Sequence, residues 1–200
     1  MKSRVINTDQ LFQEFPTYPT HKHDPKFWEA LGRTIATFGF LEEVLGKAIY
    51  AFGKTRRNLQ NESEEEFKKW ILTLEKALTD QLGALIDSYE KEVKNHPSKS
   101  IENLGDLVED LRKTKELRNV LCHGSWQVPN DVGRTIPFFV NRKKEIFKTE
   151  IDILFLMQTQ RHVSELCCMV VNTVTHMGWQ FPGSNGPGEP VWSYNSSPDK

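Results

Sequence analysis

Arg118, Asn119 and His123 fall within the stretch "ELRNVLCHGSW", residues 116–126. Together these three types suit phosphate chemistry. A guanidinium grips a phosphate through two parallel N–H donors. An amide orients a hydroxyl. An imidazole titrates near neutrality, so it can both take and give a proton. The apolar spacing upstream and Gly124 behind predict a helix ending at His123, where the helix dipole favours an imidazolium. On that helix Arg112, Glu116, Asn119 and His123 follow one another at steps of four, three and four, which makes one polar stripe. Leu107, Leu111, Leu117 and Leu121 take the opposite, core-facing side. Arg118 lies about 140° around the helix from His123, on the flank of the apolar side. A guanidinium there needs a partner, either a carboxylate from a neighbouring helix or an anionic ligand. The plain alternative is structural: an Arg that caps carbonyls and a His that finishes a helix.

Four long helices are expected to position this stripe. "DPKFWEALGRTIATFGFLEEVLGKAIYAFG" reads as the first, with Asp24 as N-cap, Pro25 at the first helical position and Gly53 as stop. Trp28, Leu31, Ile35, Phe38, Leu41, Leu45, Ile49 and Phe52 form its apolar face. The second, "SEEEFKKWILTLEKALTDQLGALIDSYEKEVK", opens on a capping box of Ser63 and Glu66 and buries Phe67, Ile71, Leu74, Leu78, Leu82, Leu85 and Tyr89. Pro97 punctuates its end. The third starts near Ser100 and carries the stripe. Residues 126–148 change to short apolar runs separated by turn residues, which predicts a β-hairpin with Pro137 at an edge or bulge. Thr149 is the expected cap of the fourth helix, which carries His162 and His176. The tail 179–200, rich in Gly, Pro and Ser, reads as a loop pinned by Trp179, Phe181 and Trp192.

The fold class that follows is all-α: an antiparallel four-helix bundle with a small β-hairpin between helices three and four. The organisation is an irregular segment 1–24, a helical domain 25–178 with the hairpin at 126–148, and the tail 179–200. The net charge of −1 excludes a global field for polyanions, so any such site is local. Cys122, Cys167 and Cys168 are odd in number and sit in apolar helical contexts, as expected of reduced thiols in a cytoplasmic protein. No secretory h-region and no membrane-length apolar run is present.

Other clusters carry weaker signals of chemistry. "HKH" at 21–23 offers two imidazoles, but the only adjacent carboxylate is Asp24, already assigned to the helix cap, so no metal is expected. Gly53, Lys54 and Thr55 mimic the end of a phosphate loop without its first glycine or its preceding strand. Lys54, Arg56 and Arg57 read as a solvated helix end, with an RNA contact as the alternative. Arg112, Lys113 and Lys115 before the motif, and Arg142, Lys143 and Lys144 in the hairpin turn, could hold phosphates on either side of the site.

"RNVLCH" is Arg, four residues, His, with the polar Asn119 directly after the Arg, near the end of the third main helix. This resembles the signature of the HEPN superfamily of helical ribonucleases and nucleotide-binding modules. The resemblance spans the six-residue motif and the helical arrangement of about residues 25–178. It implies an HEPN-like bundle and a metal-independent endoribonuclease without cofactors, in which the ribose 2′-hydroxyl attacks the adjacent phosphate to leave a 2′,3′-cyclic phosphate. It also implies a homodimer with the two motifs facing each other. Arg118 would bind the scissile phosphate, Asn119 would position the ribose or order the imidazole, and His123 would act as general acid or base. Arg112, Lys115, Glu116, Ser125 and Trp126 are the candidate supporting or RNA-contacting residues. Toxin or phage-defence roles, with an antitoxin or regulatory partner and no membrane, belong to the same expectation. Toxins of this family that are silenced by nucleotidyl transfer carry a Tyr two residues after the His; here Ser125 stands there. The alternative is a non-catalytic module that binds nucleotide, RNA or a partner protein through the same groove.

Overall fold

The computed structural model describes residues 22–60, 81–98 and 101–191, with positions 63, 65, 68, 69, 71, 72 and 75 in addition. The fold of the described residues is helical. Four helices have described bounds: α1 (Pro25–Gln60), α2 (Leu82–Asn95), α3 (Leu104–His123) and α4 (Ile153–Thr175). By compactness the chain divides into two units, each assembled from separated segments. One comprises Met1–Ile35 and Arg118–Gln160, the other Ala36–Leu117 and Arg161–Lys200.

α1 starts as its sequence requires. The Asp24 carboxylate accepts from Lys26 N–H at 2.8 Å and the Asp24 carbonyl from Phe27 N–H at 2.8 Å, which satisfies two donors that open every helix. Its expected end is wrong by nearly two turns: α1 runs through Gly53 to Gln60. The physical reason is local. Gly53 is buried within the helix, and the Arg57 guanidinium donates to its carbonyl at 3.0 Å. The Thr55 hydroxyl donates to the Ala51 carbonyl at 2.7 Å. A glycine in a helix costs only about 1 kcal/mol relative to alanine, and burial of Phe52 and Thr55 on either side outweighs that.

The second expected helix is not continuous. Gln81 is extended (φ −67°, ψ 154°), and a fresh helix, α2, starts at Leu82. Upstream, positions 65, 68, 69, 71, 72 and 75 are helical; Phe67, Leu74, Leu78 and the capping partner Glu66 lie outside the described residues. The apolar rhythm of the sequence runs across Gln81 without interruption, so it does not mark the new helix start. Leu82, Leu85 and Tyr89 are buried as expected, joined by Ile86 and Val93.

α3 starts at Leu104 and not near Ser100, which lies outside the described residues. Asn103 holds a left-handed backbone (φ 64°), a conformation asparagine tolerates better than most residues, and this sets the boundary. The cap of α4 is Asp152 in place of Thr149: its carboxylate accepts from Phe155 N–H at 2.7 Å. Between α3 and α4 the segment expected as a hairpin shows isolated antiparallel bridges and, among the described residues, no strand. The bridges join Ser125 to Phe138, Thr135 to Ile151 and Val140 to Ile146. The end of the chain is folded as far as residue 191. Phe181 and Val191 are buried, and a parallel bridge joins Trp179 to Glu189. Trp192, the third expected anchor, lies outside the described residues.

The unit that contains the motif has its own core. Phe27, Leu31 and Thr34 of α1, Val120 and Leu121 of α3, and Ile151 and Leu156 are buried in it. The Thr34 hydroxyl lies 2.8 Å from the Ala30 carbonyl and 3.1 Å from the Leu156 carbonyl, which ties α1 to the start of α4. In the other unit Phe38, Leu41, Leu45 and Phe52 of α1, Tyr89 of α2, Leu111 of α3 and Val170 of α4 are buried. Tyr89 donates to Thr173 at 2.9 Å, and burial pushes its phenol up to about 12. Cys122, Cys167 and Cys168 are free thiols, and burial pushes Cys167 up to about 11.

Candidate functional site

His123 is the last residue of α3 and is exposed; Arg118 and Asn119, one to two turns earlier, are half-buried. Along α3 the buried positions include Leu107, Leu111, Thr114 and Leu121. Arg118 completes that series at the step between Thr114 and Leu121. The half-buried Arg118 thus follows a line of buried side chains on α3, where the sequence spacing predicts the flank of the apolar side, and it is an engaged side chain rather than a free one. The polar stripe is present: Arg112, Glu116 and His123 are exposed and Asn119 is half-buried.

What ends α3 also holds His123 in place. Gly124 N–H donates to the Val120 carbonyl at 2.8 Å. A Cβ at Gly124 would lie 2.6 Å from the Val120 carbonyl oxygen and 2.9 Å from Pro137 Cβ. Only a residue without a side chain permits this approach. Ser125 then pairs with Phe138 through two backbone bonds, N–H to carbonyl at 2.9 Å and 2.8 Å in the two directions. Trp126 turns into an aromatic cluster, nearly perpendicular to Phe27 at 5.2 Å and to Trp28 at 6.1 Å between ring centroids. His23 stacks on Phe27 at 4.6 Å. Its Nε2 lies 2.8 Å from the Gln127 carbonyl, which can only accept, so this nitrogen carries the proton. The residues just after the helix end are therefore clamped to the start of α1.

The supporting residues divide. Ser125 is exposed at the helix end, and Trp126 is a packing residue of the cluster. Arg112 is committed to α2: its Nη2 donates to Asp87 at 2.9 Å and to Glu90 at 2.7 Å, and both bonds hold the guanidinium protonated above its usual range. Lys115 pairs with Glu116 at 3.0 Å, and its aliphatic stem passes Gly83 of α2 so closely that a Cβ there would stand 3.1 Å from Lys115 Cδ. Lys113 pairs with Glu109 at 2.8 Å. The basic run before the motif thus neutralises carboxylates within the chain. Sequence reasoning did not foresee these pairings, although Asp87 and Glu90 at a three-residue spacing mark an acidic face on α2 that an arginine can bridge.

The other sequence candidates fall elsewhere. His23 is engaged as described, while His21 lies outside the described residues. Among the described residues no three His, Cys, Asp or Glu side chains are grouped so as to hold a metal ion. Arg56 pairs with Glu92 at 3.2 Å in the other unit. His162 and His176 are exposed on and just after α4. No described helix is long and apolar enough to cross a membrane.

No family model matches the chain, and no curated protein or solved structure matches it.

The chemistry available at the end of α3 is that of an accessible imidazole with an amide one turn before it and a guanidinium rooted in the core. By helix geometry Arg118 and His123 leave the axis about 140° apart. A single copy thus presents one proton-transfer group at an open helix end.

Proposed function

We propose that this protein is a metal-independent endoribonuclease of HEPN type, working as a homodimer. The observation that carries the reading is the exposed His123 at the C-terminus of α3, five residues beyond a half-buried Arg118. In this reading a base removes the proton of a ribose 2′-hydroxyl, the 2′-oxygen attacks the adjacent phosphorus, and the bond to the 5′-oxygen breaks. An acid protonates that 5′-oxygen, leaving a 2′,3′-cyclic phosphate and a 5′-hydroxyl. The step needs a base and an acid on opposite sides of the phosphorus. One chain supplies one imidazole at this end; a second copy supplies the other. Arg118 neutralises the charge that grows on the phosphoryl oxygens, and Asn119 orients the ribose hydroxyl or the imidazole. The finer architecture belongs to the same proposal: an antiparallel four-helix bundle with residues 126–148 as a β-hairpin. So do a cytoplasmic location and a toxin or phage-defence role with an antitoxin or regulatory partner.

The test is RNA degradation with and without EDTA. Cleavage that survives EDTA and is lost in His123→Ala supports the enzyme. Equal preservation of RNA by wild type and variant supports the second reading, a non-catalytic module that binds nucleotide, RNA or a partner protein. That reading is favoured by the commitment of Arg112, Lys113 and Lys115 to carboxylates within the chain.

A further inference from the structure

Many of the described cations pair with carboxylates of the same chain. Arg33 pairs with Glu29, Lys47 with Glu43, Lys94 with Glu90 and Arg161 with Glu165, each one helical turn away. The turn between the bridged residues Val140 and Ile146 is different. Arg142, Lys143 and Lys144 are all exposed there, and their side chains have no ion pair or hydrogen bond among the described residues. The turn is nevertheless well built. The Asn141 side-chain oxygen accepts from Lys143 N–H and Glu145 N–H, both at 2.9 Å, and Lys144 takes a left-handed backbone (φ 64°). Three cations are held together on a shaped turn without a direct ion pair, and the one carboxylate between the bridged residues, Glu145, accepts from the Asn141 side-chain amide at 2.7 Å.

The strand-like residues leading to this turn are apolar where they meet water. Phe138 is 59% exposed, Val140 45% and, across the bridge, Ile146 55%, while Pro137 before them is buried and Phe139 between Phe138 and Val140 is half-buried. Phe138 is joined to Ser125 by both backbone bonds, so their side chains share one face. Ser125 stands two residues beyond His123. An open aromatic ring therefore lies beside the helix end that carries the imidazole, and the unpaired cations follow along the chain. From Phe138 to Arg142 an extended backbone covers about 13 Å, the reach of a short single-stranded stretch.

We infer that residues 138–146 form a platform for single-stranded RNA, on which Phe138 stacks a base and Arg142, Lys143 and Lys144 hold the neighbouring phosphates. Three unpaired positive charges select a polyanion. An exposed ring within the same face selects unpaired bases over a duplex, whose bases are already stacked. The choice of RNA rests on the ribonuclease reading; the platform supplies that site with its substrate strand.

The test uses the full chain carrying His123→Ala, so that RNA binds without turnover, and a labelled 12-nucleotide oligouridylate followed by fluorescence anisotropy across a salt series. The single strand binds more tightly than a duplex of the same length. Phe138→Ala and Phe138→Leu each weaken binding on the order of tenfold without changing the salt slope. Leucine keeps the face apolar, so a surface made for a protein would tolerate it. The triple change Arg142→Gln, Lys143→Gln, Lys144→Gln flattens the log–log salt slope by about 2, at roughly 0.7 per phosphate contact on a single strand. Thermal melts of the variants match the parent, because every altered side chain is exposed. Unchanged affinity in either set, no binding of the single strand, tolerance of leucine at 138, or equal binding of duplex overturns the platform. Its failure is separable from that of the enzyme. Wild type that cleaves while these substitutions leave KM unchanged rejects the platform alone. Platform-dependent binding by a protein that never cleaves rejects the ribonuclease alone.

Discussion

Arg118 and His123 differ in what the rest of the chain asks of them. Arg118 extends a line of buried side chains on α3, so its position is constrained by packing as well as by chemistry. His123 sits exposed where the helix stops. Loss of the imidazole is expected to lower RNA cleavage by about 10²–10⁴-fold, the usual worth of a general acid or base, with unchanged urea stability. Arg118→Lys keeps the charge and loses the bidentate grip, so it should cut cleavage and also lower the urea midpoint. Both residues and their spacing are legible in the sequence, because helical periodicity alone relates them. The residue that sets the helix end in space is only half legible. Gly124 reads as a stop signal, but its approach to Pro137 depends on how the following segment folds back. Gly124→Ala is expected to destabilise the protein by about 1–3 kcal/mol, the cost of forcing a group into a filled site. Gly39→Ala, in the exposed middle of α1 with open space around it, should instead stabilise by about 0.4–1 kcal/mol. Opposite signs in paired urea melts are the check.

Helix ends were harder to read than helix faces, for a reason visible at each one. The apolar face of α1 follows the expected residues Leu31, Phe38, Leu41, Leu45, Ile49 and Phe52, all buried, but Trp28 and Ile35 are only half-buried and their neighbours Phe27 and Thr34 take the buried places. Its end was misplaced because Gly53 is held inside the helix by contacts of Thr55 and Arg57. The end of α2 shows a device that no spacing rule would find. His96 caps it and is 1% exposed, beside the Phe52 ring at 5.8 Å. Its Nδ1 accepts from Ser98 N–H at 3.3 Å. Its Nε2 lies 3.0 Å from the Thr55 hydroxyl, whose own proton goes to the Ala51 carbonyl at 2.7 Å, so Nε2 is the donor. The ring is therefore neutral with both nitrogens used. Burial, and then the Arg56 cation, lower its pKa below the usual 6.5, with Glu92 opposing. A depressed imidazole takes up its proton more readily in the unfolded chain. Its contribution is complete above 6.5 and is lost as pH falls through the folded-state value, with a slope of at most about 1.4 kcal/mol per pH unit. Wild type should thus lose urea stability on acidification below 6.5 faster than His96→Gln. Parallel curves for the two proteins would remove His96 from the account.

For the molecule as a whole, the near-zero net charge and the local pairing of cations mean that no long-range field gathers RNA. Under the proposed function, capture would come from a small surface, and cleavage from a site to which one copy brings a single exposed imidazole. The helical class of the fold was legible, since amphipathic runs dominate the sequence. Residues 126–148 were legible only as a change of character: their pairing is long-range, and it appears as isolated bridges. The proposed dimer rests on chemistry alone, because cleavage of a phosphodiester needs a base on one side and an acid on the other while each chain brings one exposed imidazole, His123, to the end of α3. If a second copy supplies the missing group, cleavage depends on the concentration of protein and not only on its amount. Below the dimer dissociation constant the rate should fall with the square of total protein, and above it linearly. Sedimentation across the same dilution series should show monomer appearing where the exponent changes. A rate that stays linear while monomer becomes the main species would mean that a single chain completes the site, and the second imidazole would then have no part in the reaction.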